Sequence, residues 1–283
     1  MLDSNRRLIG TLGLALALVS ATSLAAIRGS KHDLSAGGAA QATTSATTEV
    51  CVFCHTPHGS NTGVSAPLWN KANSTATYTR YSDLGTATLD GTEVTVGSVS
   101  LACLSCHDGT QAMDVVVNAP GSGGWNGLSG GELDPGAIGA MVNSGGAPFP
   151  MLGTDLRNDH PISIAYAGGG CAPGSDPCTP ASGDTNDKDF NPAQHATINT
   201  KNQWWVDVAS YDSTGDGTRD ATGTSDTREK SDMILYTRDF AGTDGPSVEC
   251  GSCHDPHEAT ERPVSFLRIA NTNSDVCLAC HIK

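Results

Sequence analysis

Cys103-Leu104-Ser105-Cys106-His107 has three companions: Cys51-Val52-Phe53-Cys54-His55, Cys250-Gly251-Ser252-Cys253-His254 and Cys277-Leu278-Ala279-Cys280-His281. Their shared C-x-x-C-H pattern is that of c-type haem attachment. Two thiols bond covalently to the two vinyl groups of one haem, and the His that follows ligates the iron. One copy would also fit a redox dithiol. The repeats together use eight of the ten cysteines, and the competing uses do not explain them. Zinc does not require a His directly after every second Cys, and disulfides require no His. The sequence therefore predicts covalent haem c at each motif, four in all. Cys51, Cys54, Cys103, Cys106, Cys250, Cys253, Cys277 and Cys280 carry the thioethers, and His55, His107, His254 and His281 are the proximal iron ligands.

The chain has nine His, so five remain: His32, His58, His160, His195 and His257. Four irons with two His each need four more, so supply nearly equals demand and bis-His coordination is expected at all or nearly all haems. For His195 an ordinary imidazole is an equal reading. Met is another axial ligand, one that raises the potential. Met113, Met141, Met151 and Met233 are candidates, but the count needs none of them. His55 and His58 are too close in sequence to take opposite faces of one iron, and so are His254 and His257. Each such segment must tie together two neighbouring haems. Iron with two His ligands has no open position, which points to electron transfer and not to an enzyme. A haem with one protein ligand would reverse that and favour a reductase.

Arg6 and Arg7 precede an apolar run from Leu8 to Ala26, and small residues follow. Residues 1–25 read as a secretory signal, cleaved near Ala25 or Ala26. Glycines and hydroxyl residues interrupt the run, which weakens a membrane-spanning reading. No Cys sits at the cleavage site, so no lipid anchor is expected there. The arginine pair would also fit twin-arginine export, but a c-type apoprotein normally crosses unfolded, which favours the general route. The product is expected outside the cytoplasm, with no membrane span. Export removes two basic residues and one acidic residue, so the formal net charge of −14 becomes −15. That balance argues against nucleic acid or an anionic membrane as partner. It suits a dispersed protein or a basic partner.

Aromatics are 5 % of the chain, against 33 Gly and 14 Pro. Such a chain has trouble burying enough apolar area to offset its entropy. The expected fold is mostly irregular coil with short helices and few strands, organised around a stacked haem chain. Residues 26–283 would form one tetrahaem domain with a haem-free insert at about 165–245. Residues 26–50 read as an extended arm carrying His32. Thr86–Leu101 reads as a β-hairpin turning at Asp90-Gly91, with Glu93 on the solvated face. Cys103–His107 reads as a short helix, and His160, before Pro161, as a projection from extended chain. Trp204–Val208 is either a strand or a cap over a haem. Cys171 and Cys178 are followed by no His, and the tight loop between them favours a disulfide in an oxidising compartment. Asp212, Asp216 and Asp220, with Gly217, space oxygens like the first part of a calcium loop. Gly223 stands at the twelfth position, where Glu is expected, so a solvated turn competes with calcium.

Lys31-His32-Asp33-Leu34-Ser35, CVFCHTPHG from Cys51, CLSCHDG from Cys103, DHPI from Asp159, CGSCHDPH from Cys250 and CLACH from Cys277 resemble the multihaem c-type cytochromes of metal-reducing bacteria. The motif order is most similar to the OmcE-type tetrahaem cytochromes that polymerise into extracellular filaments. The resemblance covers both ends of the chain, not residues 120–158 or 181–245. It implies a coil-dominated fold, bis-His coordination and haems stacked in parallel and T-shaped pairs. By position, His32, His58, His160 and His257 match the distal ligands, one of which comes from the next subunit in that family. His195 matches nothing. The implied partners are further copies of the chain joined head-to-tail, other redox proteins and extracellular electron acceptors. A monomeric periplasmic carrier is the competing expectation.

Overall fold

Two hairpins in the second half of the chain supply most of the regular structure. The computed structural model describes residues 27–40, 42–43, 47–119, 138–141, 151–175, 178, 183–208, 228–258 and 266–282. One hairpin joins β2 (Gln194–Ile198) to β3 (Lys201–Val206), the other β4 (Met233–Phe240) to β5 (Thr243–Val248). Each turn has two residues at positive φ: Asn199 and Thr200 at 50° and 64°, Ala241 and Gly242 at 57° and 92°. Turns of that hand match the twist of the flanking strands. With β1 (Ile164–Ala165) they form a five-stranded antiparallel sheet in the order β1-β5-β4-β3-β2.

Trp204 faces Leu235, Trp205 faces Ile234 and Val206 faces Met233, and all six are buried. Neighbouring residues on a strand point to opposite faces, so unbroken burial means that both faces are covered here. Trp204, Val206, Met233 and Leu235 share one core with Tyr166, Ala279 and the disulfide Cys171–Cys178. Each fully buried aliphatic side chain of this kind stabilises by about 1.5–3 kcal/mol. Trp204–Val206 thus lie in a strand. The span 165–245 leaves the rest of the protein at β1 and returns at β5, where Ile164 pairs with Val248.

Among the described residues helices are few and short: α1 (Ser98–His107), α2 (Cys250–Cys253) and α3 (Asp275–Leu278), with 3₁₀ turns such as Cys51–Phe53 and Tyr81–Leu84. The remainder is mostly coil. The hairpin expected over Thr86–Leu101 does not form. Glu93 instead makes a single bridge to Ile164, and Ser98 onward belongs to α1. The strand formers there meet β1 and not each other. Gly91 allows this approach, since a Cβ on it would stand 2.7 Å from Ile164 Cγ1. Glu93 is half-buried rather than solvated, and its carboxylate accepts from the Ser82 N–H at 3.0 Å.

A buried carboxylate locks α1 to α2. Glu249 Oε2 accepts from the hydroxyls of Ser100 (2.5 Å) and Ser163 (3.1 Å), and Oε1 from Ser247 Oγ (3.1 Å) and Arg238 Nη1 (2.7 Å). Ser100 Oγ in turn accepts from the Cys250 N–H at 2.9 Å. Burial pushes the Glu249 carboxyl above its ordinary value, and its donors only partly oppose that. The signal segment 1–25 and the calcium candidates Asp212, Asp216 and Asp220 lie outside the described residues. Among the described residues, no helix is long and apolar enough to cross a membrane.

Candidate haem centres

One helical turn puts residues three apart on the same face, which is what two thiols meeting one ring require. The turn is present at every motif. The His N–H donates to the first Cys carbonyl in three of them: His55 to Cys51 at 2.8 Å, His254 to Cys250 at 3.1 Å and His281 to Cys277 at 2.9 Å. The remaining motif is the last turn of α1 and ends on His107. Beyond the turn, His55, His254 and His281 form single bridges to Trp69, Leu267 and Phe190. None of the eight motif cysteines is in a disulfide.

The imidazoles come in facing pairs. Ring centres lie 6.2 Å apart for His32 and His107, 6.0 Å for His55 and His257, and 6.5 Å for His160 and His281. Two imidazoles bonded to opposite faces of one metal, at about 2.0 Å each, have ring centres roughly 6 Å apart. Three of the expected proximal ligands thus face three of the expected distal ones. His257 follows His254 yet faces His55, so one short segment touches two centres. No imidazole faces His254 at such a separation among the described residues, and none faces His58, which is exposed.

The second ring nitrogen is engaged as iron ligation demands. His55 Nδ1 bonds the Pro67 carbonyl at 2.7 Å, and His160 Nδ1 bonds that of Pro161 at 3.0 Å. The carbonyls of Pro256 and Phe266 act on the rings of His32 and His254 and oppose the lowering by burial. Donation from Nδ1 leaves the lone pair on Nε2 for a metal and fixes the ring's orientation. His195 does the reverse. Its Nε2 is held by Asn202 Oδ1 at 3.2 Å, and its ring lies 4.3 Å from Trp204 inside the sheet. It is a core histidine and faces no other imidazole.

Electrostatics favour the neutral form of several of these groups. Burial, then the nearby His107, lowers His32 to about 4, and burial lowers His254 as well. A ligating imidazole must be neutral. Burial pushes the Cys54 and Cys280 thiols up to about 12 and Cys253 to about 11. Surroundings that disfavour a thiolate suit an uncharged thioether. The thiols also record how the motifs neighbour one another. Cys54 feels Cys106, Cys103 feels Cys250, and Cys253 feels Cys277. Spatial order therefore follows chain order.

The residues fit a haem. Trp69 Nε1 is a buried donor beside His55 without an acceptor among the described residues, and haem carries propionate acceptors. Among the described residues, no three of His, Cys, Asp and Glu converge to hold a metal ion. Zinc needs such a group, whereas haem iron needs only an axial pair. Met113 and Met141 pack with Phe53, Met151 lies against that cluster, and Met233 is in the sheet core.

The aromatic neighbours escape the sequence reading. Phe266 stacks on His32 at 4.1 Å, and the Phe190 ring lies 4.3 Å from His281. Only Pro161 and Pro256 leave a trace, as prolines beside or between His in the sequence. A family model described as a doubled CXXCH motif matches residues 245–283, the last two motifs. A search of curated proteins finds no match to the chain. The match supports covalently bound haem c, and with it the electron-transfer chemistry of a c-type cytochrome.

Proposed function

We propose that the protein transfers electrons through four covalent bis-His haems, as the repeating subunit of an extracellular filament, and that it is not an enzyme. Bound haem supplies a one-electron iron couple; the chain supplies attachment, axial imidazoles and spacing. His55 and His257, His107 and His32, and His281 and His160 would hold three irons, and His254 the fourth. The observation that carries the reading is the set of three facing imidazole pairs at 6.0–6.5 Å. The exposed His58 and the His254 without a facing ring support the filament. A His58 offered to the neighbouring copy would complete its His254 centre, and repeating that contact gives an open fibre.

One observation favours a monomeric carrier instead. His257 follows the third motif and faces the first, so His58, following the first, has a reciprocal place at the third. Both readings leave every iron six-coordinate in the working form. Electron microscopy of material sheared from cells, with mass spectrometry for this chain plus four haems, tests the proposal. Thin regular filaments from the native chain and dispersed subunits from His58→Ala are expected. Native chain found only as a monomer with all irons six-coordinate would establish the carrier. A five-coordinate haem that binds cyanide in that monomer would favour a reductase.

A further inference from the structure

Lys71 is 1 % exposed, and no carboxylate pairs with it among the described residues. Its Nζ donates to the carbonyls of Ala112 (3.2 Å), Met113 (3.3 Å) and Val115 (2.7 Å). A neutral amine has only two hydrogens, and its lone pair would face the third carbonyl. Three acceptors therefore require the ammonium. Asp114, in the same loop, accepts from the Ile138 N–H at 3.4 Å instead.

The position of this charge is fixed by the first two motifs. Trp69 bridges His55, and the Asn70 N–H donates to the Cys54 carbonyl at 2.9 Å. Asn70 Nδ2 donates to the Val52 carbonyl at 2.6 Å. The carbonyls that receive Lys71 follow α1, just beyond His107. Lys71 thus lies between the two attachment sites, and both Cys54 and Cys106 feel it. The second site has an opposing charge. Asp108 follows His107, and its carboxylate accepts from Tyr78 Oη (2.6 Å), Ser74 Oγ (2.7 Å) and the N–H and hydroxyl of Thr110 (2.8 Å each). Asp108 acts on Cys106 and is not among the charges acting on Cys54.

We propose that Lys71 is a fixed buried cation that raises the reduction potential of the His55–His257 centre above that of the His107–His32 centre. The inference rests on haem being bound at both motifs. Uptake of one electron lowers the charge at a centre by one, with no bond made or broken. A nearby cation in a low-dielectric interior favours that state. Asp108 offsets the effect at the second centre only. The potential step then sets a direction between two adjacent centres of the same ligation.

The test is a spectroelectrochemical and EPR titration of the holoprotein, with the electrode as electron source. In the native protein the His55–His257 centre, marked by the signal that changes in His257→Met, should titrate above the His107–His32 centre. Lys71→Met should move that centre down by at least tenfold in its reduced-to-oxidised ratio, about 59 mV for one electron. Lys71→Arg should leave it in place. Native centres in the opposite order, or a Lys71→Met titration that overlays the native one, would overturn the inference. The native ordering remains a test should Lys71→Met fail to accumulate. Loss of haem from the native chain, read by intact mass, would instead sink the functional reading itself.

Discussion

The sheet and the haem-motif region solve the same problem of burial by different means. In the sheet, Trp204, Val206, Met233 and Leu235 bury one another with register fixed strand to strand. Around the first motif there is one 3₁₀ turn, a small cluster of Phe53 with Met113, Val116, Ile138 and Met141, and backbone bonds between coil segments. One half has its own core. The other is held by short turns and coil contacts around a C-x-x-C-H motif.

The sharpest break of that comparison is to withhold haem. Chain produced without haem attachment should keep the sheet signal in circular dichroism and resist proteolysis across 183–208 and 233–248. It should be cut freely across 47–119. Equal loss of both regions would mean that the sheet too depends on haem. The converse experiment is Trp204→Ala, expected to cost about 3–5 kcal/mol in denaturant unfolding. The low-spin haem spectrum should survive it under native conditions. Loss of that spectrum would show one cooperative unit.

The smallest effect lies at the seam between the regions. Glu249 has its carboxyl raised from 4.5 by burial. Just above 4.5 the folded state keeps a proton that the unfolded chain has released, so stability falls as pH rises through that window. The slope should vanish in Glu249→Gln when unfolding midpoints are measured across it. A slope that persists would assign the titration to another group.

The haem motifs were legible because covalent attachment demands fixed residue types at fixed spacing. Counting left five spare histidines, and the family resemblance implied His32, His58, His160 and His257 among them as the distal candidates. Which ring faces which did not, because His257 meets His55 through a tertiary approach that no local pattern encodes. The hairpin expected at Thr86–Leu101 failed for a related reason: Thr92 and Val94 are good strand formers, but the partner they meet is the 163–165 segment. The two real hairpins were missed because Asn199-Thr200 and Ala241-Gly242 are weak versions of the turn signal. Nothing in the sequence marks out Lys71, and only its three carbonyl partners reveal its buried position.

The pairing of His55 with His257 has a consequence for biogenesis. A chain made from its N-terminus presents the first motif early and its facing imidazole 202 residues later (257 − 55). His107 meets a partner, His32, that has already emerged, and so does His281 with His160. The centre begun first therefore closes among the last. Truncation anywhere between His107 and His257 leaves that centre open while its neighbour is already complete.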